Sequence, residues 1–177
     1  MVEESCVSKD SMMFGVHYTD ANNNLVLANL KDYAINVKYT KLIRHAIAPT
    51  YAHETDAGMD LYAAEFHWDV DKEVWRYKTG IAFEIPVGFV GLVFPRSSIC
   101  NVKANLTNCV GVIDSCYRGD VGLVFRDTDP FNSNAPYKVG DRIGQIIIIP
   151  IPKIKLQLVE ELSETDRGDG GYGSSGR

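Results

Sequence analysis

Asp114 and Tyr117 are the residues with the most chemistry to offer. They share one short span, Asn108-Cys109-Val110-Gly111-Val112-Ile113-Asp114-Ser115-Cys116-Tyr117-Arg118-Gly119. It contains a side-chain amide, a carboxylate and a phenol ring, and Gly111 leaves backbone open to close approach by a ligand. Together these groups can hold a planar base, a sugar and a water molecule. Taken alone, Asp114 beside Ser115 reads as a turn carboxylate, because both side chains readily bond nearby backbone. The span has no cluster of cations, so a phosphate on its ligand would need groups from elsewhere.

The C-terminal stretch offers such groups. Arg167 has the planar fork that suits phosphate, Tyr172 can cover a base, and Gly-rich backbone can wrap an anion with its N–H groups. Composition alone reads the same stretch as a disordered tail. Gly171-Tyr172-Gly173-Ser174-Ser175-Gly176 matches the dinucleotide pattern G-x-G-x-x-G. That fingerprint needs a strand before it and a helix after it, so the match is set aside. Asp69-Val70-Asp71 and Asp127-Thr128-Asp129 read as turns rather than metal pairs. The four histidines are scattered, and there is no G-x-x-x-x-G-K-[ST] phosphate loop.

The elements that must position these groups are strands. Val110, Val112 and Ile113 are β-branched and Arg118-Gly119-Asp120 is turn-forming, so 108–119 reads as a β-hairpin. Ala34 to Leu42 alternates as a half-buried strand. Phe66 to Trp75, Thr79 to Ile85, Phe89 to Phe94, Gly122 to Arg126, Tyr137 to Val139, Arg142 to Ile149 and Ile154 to Leu162 also read as strands. Residues 98–108 have room for a helical turn or two. Around Asp20-Ala21-Asn22-Asn23-Asn24, the segment 13–30 is either a hairpin or a flexible arm. Many short strands punctuated by Gly and Pro indicate an all-β barrel or sandwich.

The chain has 177 residues, enough for one domain with a sizeable core. Its formal net charge of -5 gives no basic footprint for nucleic acid, and no apolar run is long enough to span a membrane. Cys6, Cys100, Cys109 and Cys116 have no zinc-ligand spacing and read as reduced, mostly buried thiols. With the acidic opening Val2-Glu3-Glu4, this points to an unprocessed cytosolic protein.

From about Ala34 to Arg177 the chain resembles the trimeric deoxyuridine triphosphatases (dUTPases). Five motifs of that family occur in family order: Ala57-Gly58-Met59-Asp60-Leu61; Pro95-Arg96-Ser97-Ser98; Asn108 through Gly119; Gly140-Asp141-Arg142-Ile143-Gly144-Gln145; and Arg167 through Gly176. Three features depart from the pattern. Ser98 stands where the family usually has Gly, Tyr172 replaces the commoner Phe, and residues 1–33 lie outside the resemblance as an extension of open role.

The resemblance implies a jelly-roll-type β-barrel over 34–162, a flexible lid over 163–177, and a homotrimer whose three sites are shared between subunits. It implies hydrolysis of dUTP to dUMP and pyrophosphate with Mg²⁺, in the cytoplasm, or the host cytoplasm if the source is viral. Uracil would lie against 108–114, read by the backbone of Gly111 and Val112 and the Asn108 amide. Tyr117 would lie against the deoxyribose, and Asp114 would take the proton of the attacking water. Arg96, Ser97, Ser98 and Gln145 would meet the α and β phosphates. Arg167, Gly173, Ser174 and Ser175 would meet the γ phosphate, with Tyr172 stacked on uracil. Asp60 would act on the metal through metal-bound water. Two alternatives have other signatures. A dCTP deaminase on the same fold would release ammonia, and a regulatory binding protein would use residues 1–33 to hold a partner.

Overall fold

The computed structural model describes residues 34–129 and 134–171, and the backbone pairing of two short segments before them. Those segments are β1 (Tyr18–Thr19) and β2 (Leu25–Val26), paired antiparallel, the hairpin alternative for this region. The rest of residues 1–33 lies outside the described residues.

The barrel strands are β3 (Lys38–Lys41), β4 (Met59–Tyr62), β5 (Glu65–Asp69), β6 (Val74–Lys78), β7 (Ile81–Glu84), β8 (Phe89–Phe94), β9 (Ala104–Leu106), β10 (Gly111–Ile113), β11 (Leu123–Asp127) and β12 (Arg142–Pro150). Two four-stranded antiparallel sheets, ordered β10-β8-β12-β4 and β5-β6-β11-β9, form the jelly-roll body, and β3 pairs β7 beside them. Alternation explains the layers. Leu123 and Phe125 of β11 are buried while Arg126 is exposed, the period expected of a strand with one face on a core. The two sheets bury one cluster that includes Leu61, Tyr77, Val93, Leu106, Phe125, Ile143 and Ile146. Tyr77, Phe125 and Tyr137 meet edge-on or tilted at centroid distances of 5.2 to 6.0 Å, within the favourable range for aromatic pairs.

Several sequence expectations change. The strand over Phe66–Trp75 is a hairpin, β5 paired to β6. Asp69 closes it by accepting from Lys72 N (3.2 Å) and Arg76 Nε (2.7 Å), and Glu73 takes the left-handed conformation (φ 52°). The stretch 108–119 does not pair with itself. β9 joins β11 and β10 joins β8, so the turn between them carries the chain from one sheet to the other. The helical turn is a 3-10 turn, Ser97–Asn101. Tyr137–Val139 is no strand: Tyr137 is buried, donating its N–H to the Tyr77 hydroxyl and accepting that hydroxyl's proton at its carbonyl. Ile154–Leu162 alternates but pairs with no strand among the described residues, and Leu158 is 99% exposed. Cys100, Cys109 and Cys116 are exposed, not buried, because all three fall on turns or turn edges. No helix among the described residues is long and apolar enough to cross a membrane.

Candidate active site

The centre of the site is the exit from β9 into β10. Thr107 N donates to Val124 O and Cys109 N to Leu106 O, which closes the turn, with Cys109 in the left-handed region (φ 58°). The turn places Asn108 over β10. Its Nδ2 lies 3.6 Å from where a Gly111 side chain would begin, so the amide rests against this glycine, and a Cβ there would press on Val93 at 3.2 Å. β10 is the outer strand of its sheet, so among the described residues one edge of its backbone has no strand beside it.

After β10 the chain turns sharply. Tyr117 N donates to Asp114 O (3.0 Å), and Arg118 Nη1 donates to Ser115 O and Tyr117 O. The Tyr117 hydroxyl donates to Asp120 O (2.9 Å). The Asp120 carboxylate accepts from Thr79 N (3.2 Å) and Gly80 N (2.7 Å), tying the turn to the start of β7. Burial pushes the Asp120 carboxyl above the usual carboxylate value, against the pull of those two N–H groups. Val112, Ile113, Asp114, Tyr117, Asp120, Val121 and Gly122 line a cavity of about 170 Å³. Among the described residues the Asp114 carboxylate has no hydrogen-bond partner, which leaves it able to accept from a water.

A second cluster lies on β4, the end of β8 and the start of β12. Asp60, 7% exposed, receives Arg96 Nε at Oδ1 (2.7 Å) and Arg142 Nη1 at Oδ2 (3.1 Å). Arg96 Nη1 also donates to Ser98 Oγ (3.4 Å). Ser98 is not among the positive-φ residues, so this backbone makes no demand for Gly. Gln145 sits opposite Asp60 on β4 and Phe94 on β8, and its Nε2 donates to Pro95 O (3.1 Å). Gly58 lets that side chain approach, since a Cβ there would stand 2.8 Å from Gln145 Oε1. The amide therefore props the loop that carries Arg96, Ser97 and Ser98.

Asn108, Gly111, Val112, Asp114 and Tyr117 thus come together, and so do Asp60, Arg96, Ser98 and Gln145, with Ser97 between them on the 3-10 turn. Gly111 pairs Val93, and Val93 pairs Ile146, so Gln145 on β12 lies about two strand spacings, roughly 10 Å, from β10, and Asp60 on β4 lies one spacing further. The cavity over Asp114 includes none of the cations in its lining. Arg167 is exposed in a turn of its own, its Nε on Gly170 O (2.9 Å). Tyr172, Gly173, Ser174 and Ser175 lie outside the described residues. Two residues escaped the sequence reading. Arg142 reaches Asp60 because a register shift between Arg142 and Gly144 turns it there, and a Gly inside a strand was the available signal. Asp120 was visible only as a turn former.

The model of the dUTPase family matches residues 44–176. A deoxyuridine 5'-triphosphate nucleotidohydrolase of Syntrophotalea carbinolica is 40% identical over 145 residues, 80% of this chain and 97% of its own. The enzyme of the same name from Mycobacterium tuberculosis is 41% identical over 139 residues, 72% of this chain and 86% of its own. Among solved structures, a Staphylococcus bacteriophage 80alpha dUTPase mutant with dUpNHpp superposes with a TM-score of 0.69 at 27% identity, covering 81% of this chain and all of the other. A dUTPase mutant from the S. aureus phage phi11, described with a structural Mg(II) ion, gives 0.60 at 26% identity over 72% of this chain and 98% of its own.

Proposed function

The chain belongs to the dUTPase family, and from that premise we propose how its residues perform the family's reaction. The enzyme is a dUTP diphosphatase that hydrolyses dUTP to dUMP and pyrophosphate with Mg²⁺. One observation carries the assignment of roles: the cavity that Asp114 and Tyr117 line together beside the free edge of β10.

Uracil presents a donor at N3 between two carbonyl acceptors. Along the Gly111–Val112 edge of β10 the backbone N–H and C=O of alternate residues face away from β8. With the Asn108 amide they can answer that pattern, and cytosine presents the wrong one. Tyr117 covers the deoxyribose, where a 2′-hydroxyl would be desolvated without a partner. Asp114 accepts the proton of the water that attacks the α-phosphorus. Arg96 and Arg142 are held side by side on one carboxylate, so their remaining N–H groups are pre-aimed at phosphate oxygens with little reorganisation. Ser97 and Ser98 add hydroxyls beside them, and Arg167, Tyr172, Gly173, Ser174 and Ser175 close over the γ phosphate and the base.

The donor set fits a metal carried on the substrate's phosphates. Among the described residues no three His, Cys, Asp or Glu side chains form a cage. Asp60 holds one guanidinium on each oxygen and keeps a second lone pair on each for metal-bound water. When bound, Mg²⁺ offsets the charge of the triphosphate and favours departure of pyrophosphate.

We also propose a homotrimer with shared sites. Two features support it. The cavity over Asp114 has no cation and, at about 170 Å³, is smaller than the roughly 300 Å³ or more of an ordinary ligand cleft. A second copy's Arg96–Asp60–Arg142 cluster would complete it. Three exposed free thiols favour the reducing cytosol as the place of work.

The test is pyrophosphate release from each deoxynucleoside triphosphate, for the wild type and for Asp114→Asn. We expect turnover of dUTP alone, no ammonia from dCTP, and a fall of about two to four orders of magnitude in the variant with nucleotide still bound. Near-native turnover of Asp114→Asn would remove Asp114 from the mechanism.

A further inference from the structure

We propose that Gly119 and Asp120, which need touch no substrate, set the enzyme's preference for deoxyribose by fixing the pose of Tyr117. The inference rests on the reading of Tyr117 as the sugar contact and adds what holds it there. The Tyr117 ring folds back onto the backbone two residues on. A Cβ at Gly119 would overlap the Tyr117 hydroxyl and stand 2.6 Å from Cζ and 3.0 Å from Cε2. A contact under 3.0 Å forces something to move, and here the neighbour is a stiff aromatic ring whose far end is already bound. Only Gly leaves room for this pose.

The far end is held by Asp120. Its carbonyl accepts the Tyr117 hydroxyl at 2.9 Å and Gly122 N at 3.0 Å. That carbonyl has little freedom, because the carboxylate of the same residue accepts from Thr79 N and Gly80 N. Val121 N donates to Ile81 O and extends the tie along β7. At the near end Arg118 Nη1 bonds Ser115 O and Tyr117 O, which closes the turn on itself. An otherwise exposed ring (Tyr117 is 44% exposed) is thereby pinned at both ends. Pinning matters for selectivity in particular. A mobile ring would swing aside to admit a 2′-hydroxyl, whereas a fixed one makes the ribonucleotide bear the whole clash or desolvation.

The experiment measures kcat and KM for dUTP and UTP in the full-chain enzyme and in Tyr117→Phe, Gly119→Ala, Asp120→Asn and Tyr117→Ala, with melting temperatures alongside. Tyr117→Phe removes one oxygen and keeps the ring. It should lower the dUTP-over-UTP ratio of kcat/KM by about 3- to 10-fold, the worth of one neutral hydrogen bond. Gly119→Ala should lower it by about 10-fold or more, with the loss for dUTP entering mainly through KM. Asp120→Asn keeps the main-chain carbonyl but weakens its anchor, and should give a smaller drop in the same direction. If Tyr117→Ala relaxes selectivity while Tyr117→Phe and Gly119→Ala leave the ratio unchanged, the clamp is overturned and the sugar contact stands. If Tyr117→Ala also leaves the ratio unchanged, both fall. Lowered melting temperatures with both substrates slowed in parallel would make these residues merely structural and overturn the proposal.

Discussion

At the scale of single residues, two buried polar side chains show how the partners of a buried group set what it does. Asp60 is a carboxylate between two guanidinium groups, so its work is to hold arginines in place. Tyr77 is a phenol inside the barrel, bonded at both its hydrogen and its oxygen to the backbone of Tyr137. Burial lifts its pKa from 10.0 to about 12. Below pH 10 both folded and unfolded chains keep this proton, and its stabilising effect is whole. As pH rises from 10 through 12 the unfolded chain releases the proton first, so stability is lost, by about 2 to 3 kcal/mol for this group. Denaturant unfolding at pH 8, 10 and 12 should show this loss. Tyr77→Phe should be less stable at pH 8, because Tyr137 loses two hydrogen bonds, but should decline less steeply above pH 10. An equally steep decline would assign the alkaline transition to other groups.

At the scale of elements, the active-site strand is useful because it is an edge. β10 is three residues long, and among the described residues no strand pairs its side away from β8, where the proposed reading puts the base. The C-terminal turn is the contrasting case. Among the described residues its hydrogen bonds join only Thr165, Arg167, Gly168 and Gly170, and none of these reaches the barrel. A chain ended after Thr165 should melt at the temperature of the full chain and keep its assembly. Its dUTP turnover should fall by about two to three orders of magnitude, the effect of losing several charge-assisted contacts to the transition state. Unchanged turnover would reduce this tail to the disordered end that its composition also describes.

At the scale of the whole molecule, one chain leaves apolar surface that a soluble monomer has no reason to present. Ile154, Leu156, Leu158 and Leu162 are 77%, 91%, 99% and 86% exposed, and the first three alternate as one face of a strand would. In the proposed trimer a neighbouring copy would supply both a strand partner for this face and the cations of the shared site. Light scattering on the eluting protein should give three times 19.7 kDa. Leu156→Asp should shift it towards smaller species, and dUTP turnover should fall with the fraction of trimer. A fully active monomer would contradict the shared site.

The sequence by itself supplied the candidate groups and most of the strands. Asn108, Asp114, Tyr117, Arg96 and Gln145 stood out as candidates because they fall in motifs that recur in the order of one family. Phe89–Phe94 and Arg142–Ile149 were legible as short apolar runs bounded by Gly and Pro turn signals. Tertiary structure decided what pairs with what. It broke Phe66–Trp75 into a hairpin at the Asp69-Val70-Asp71 turn, which Arg76 closes on Asp69. It sent β10 to β8 instead of to its own neighbour. It left Ile154–Leu162 unpaired within one chain, and it brought Arg142 to Asp60 across 82 residues. The physical reason is common to all four. Alternation and turn propensity are local, whereas a strand's hydrogen-bond partner and a carboxylate's counter-ion come from distant chain and are chosen by packing around one shared core.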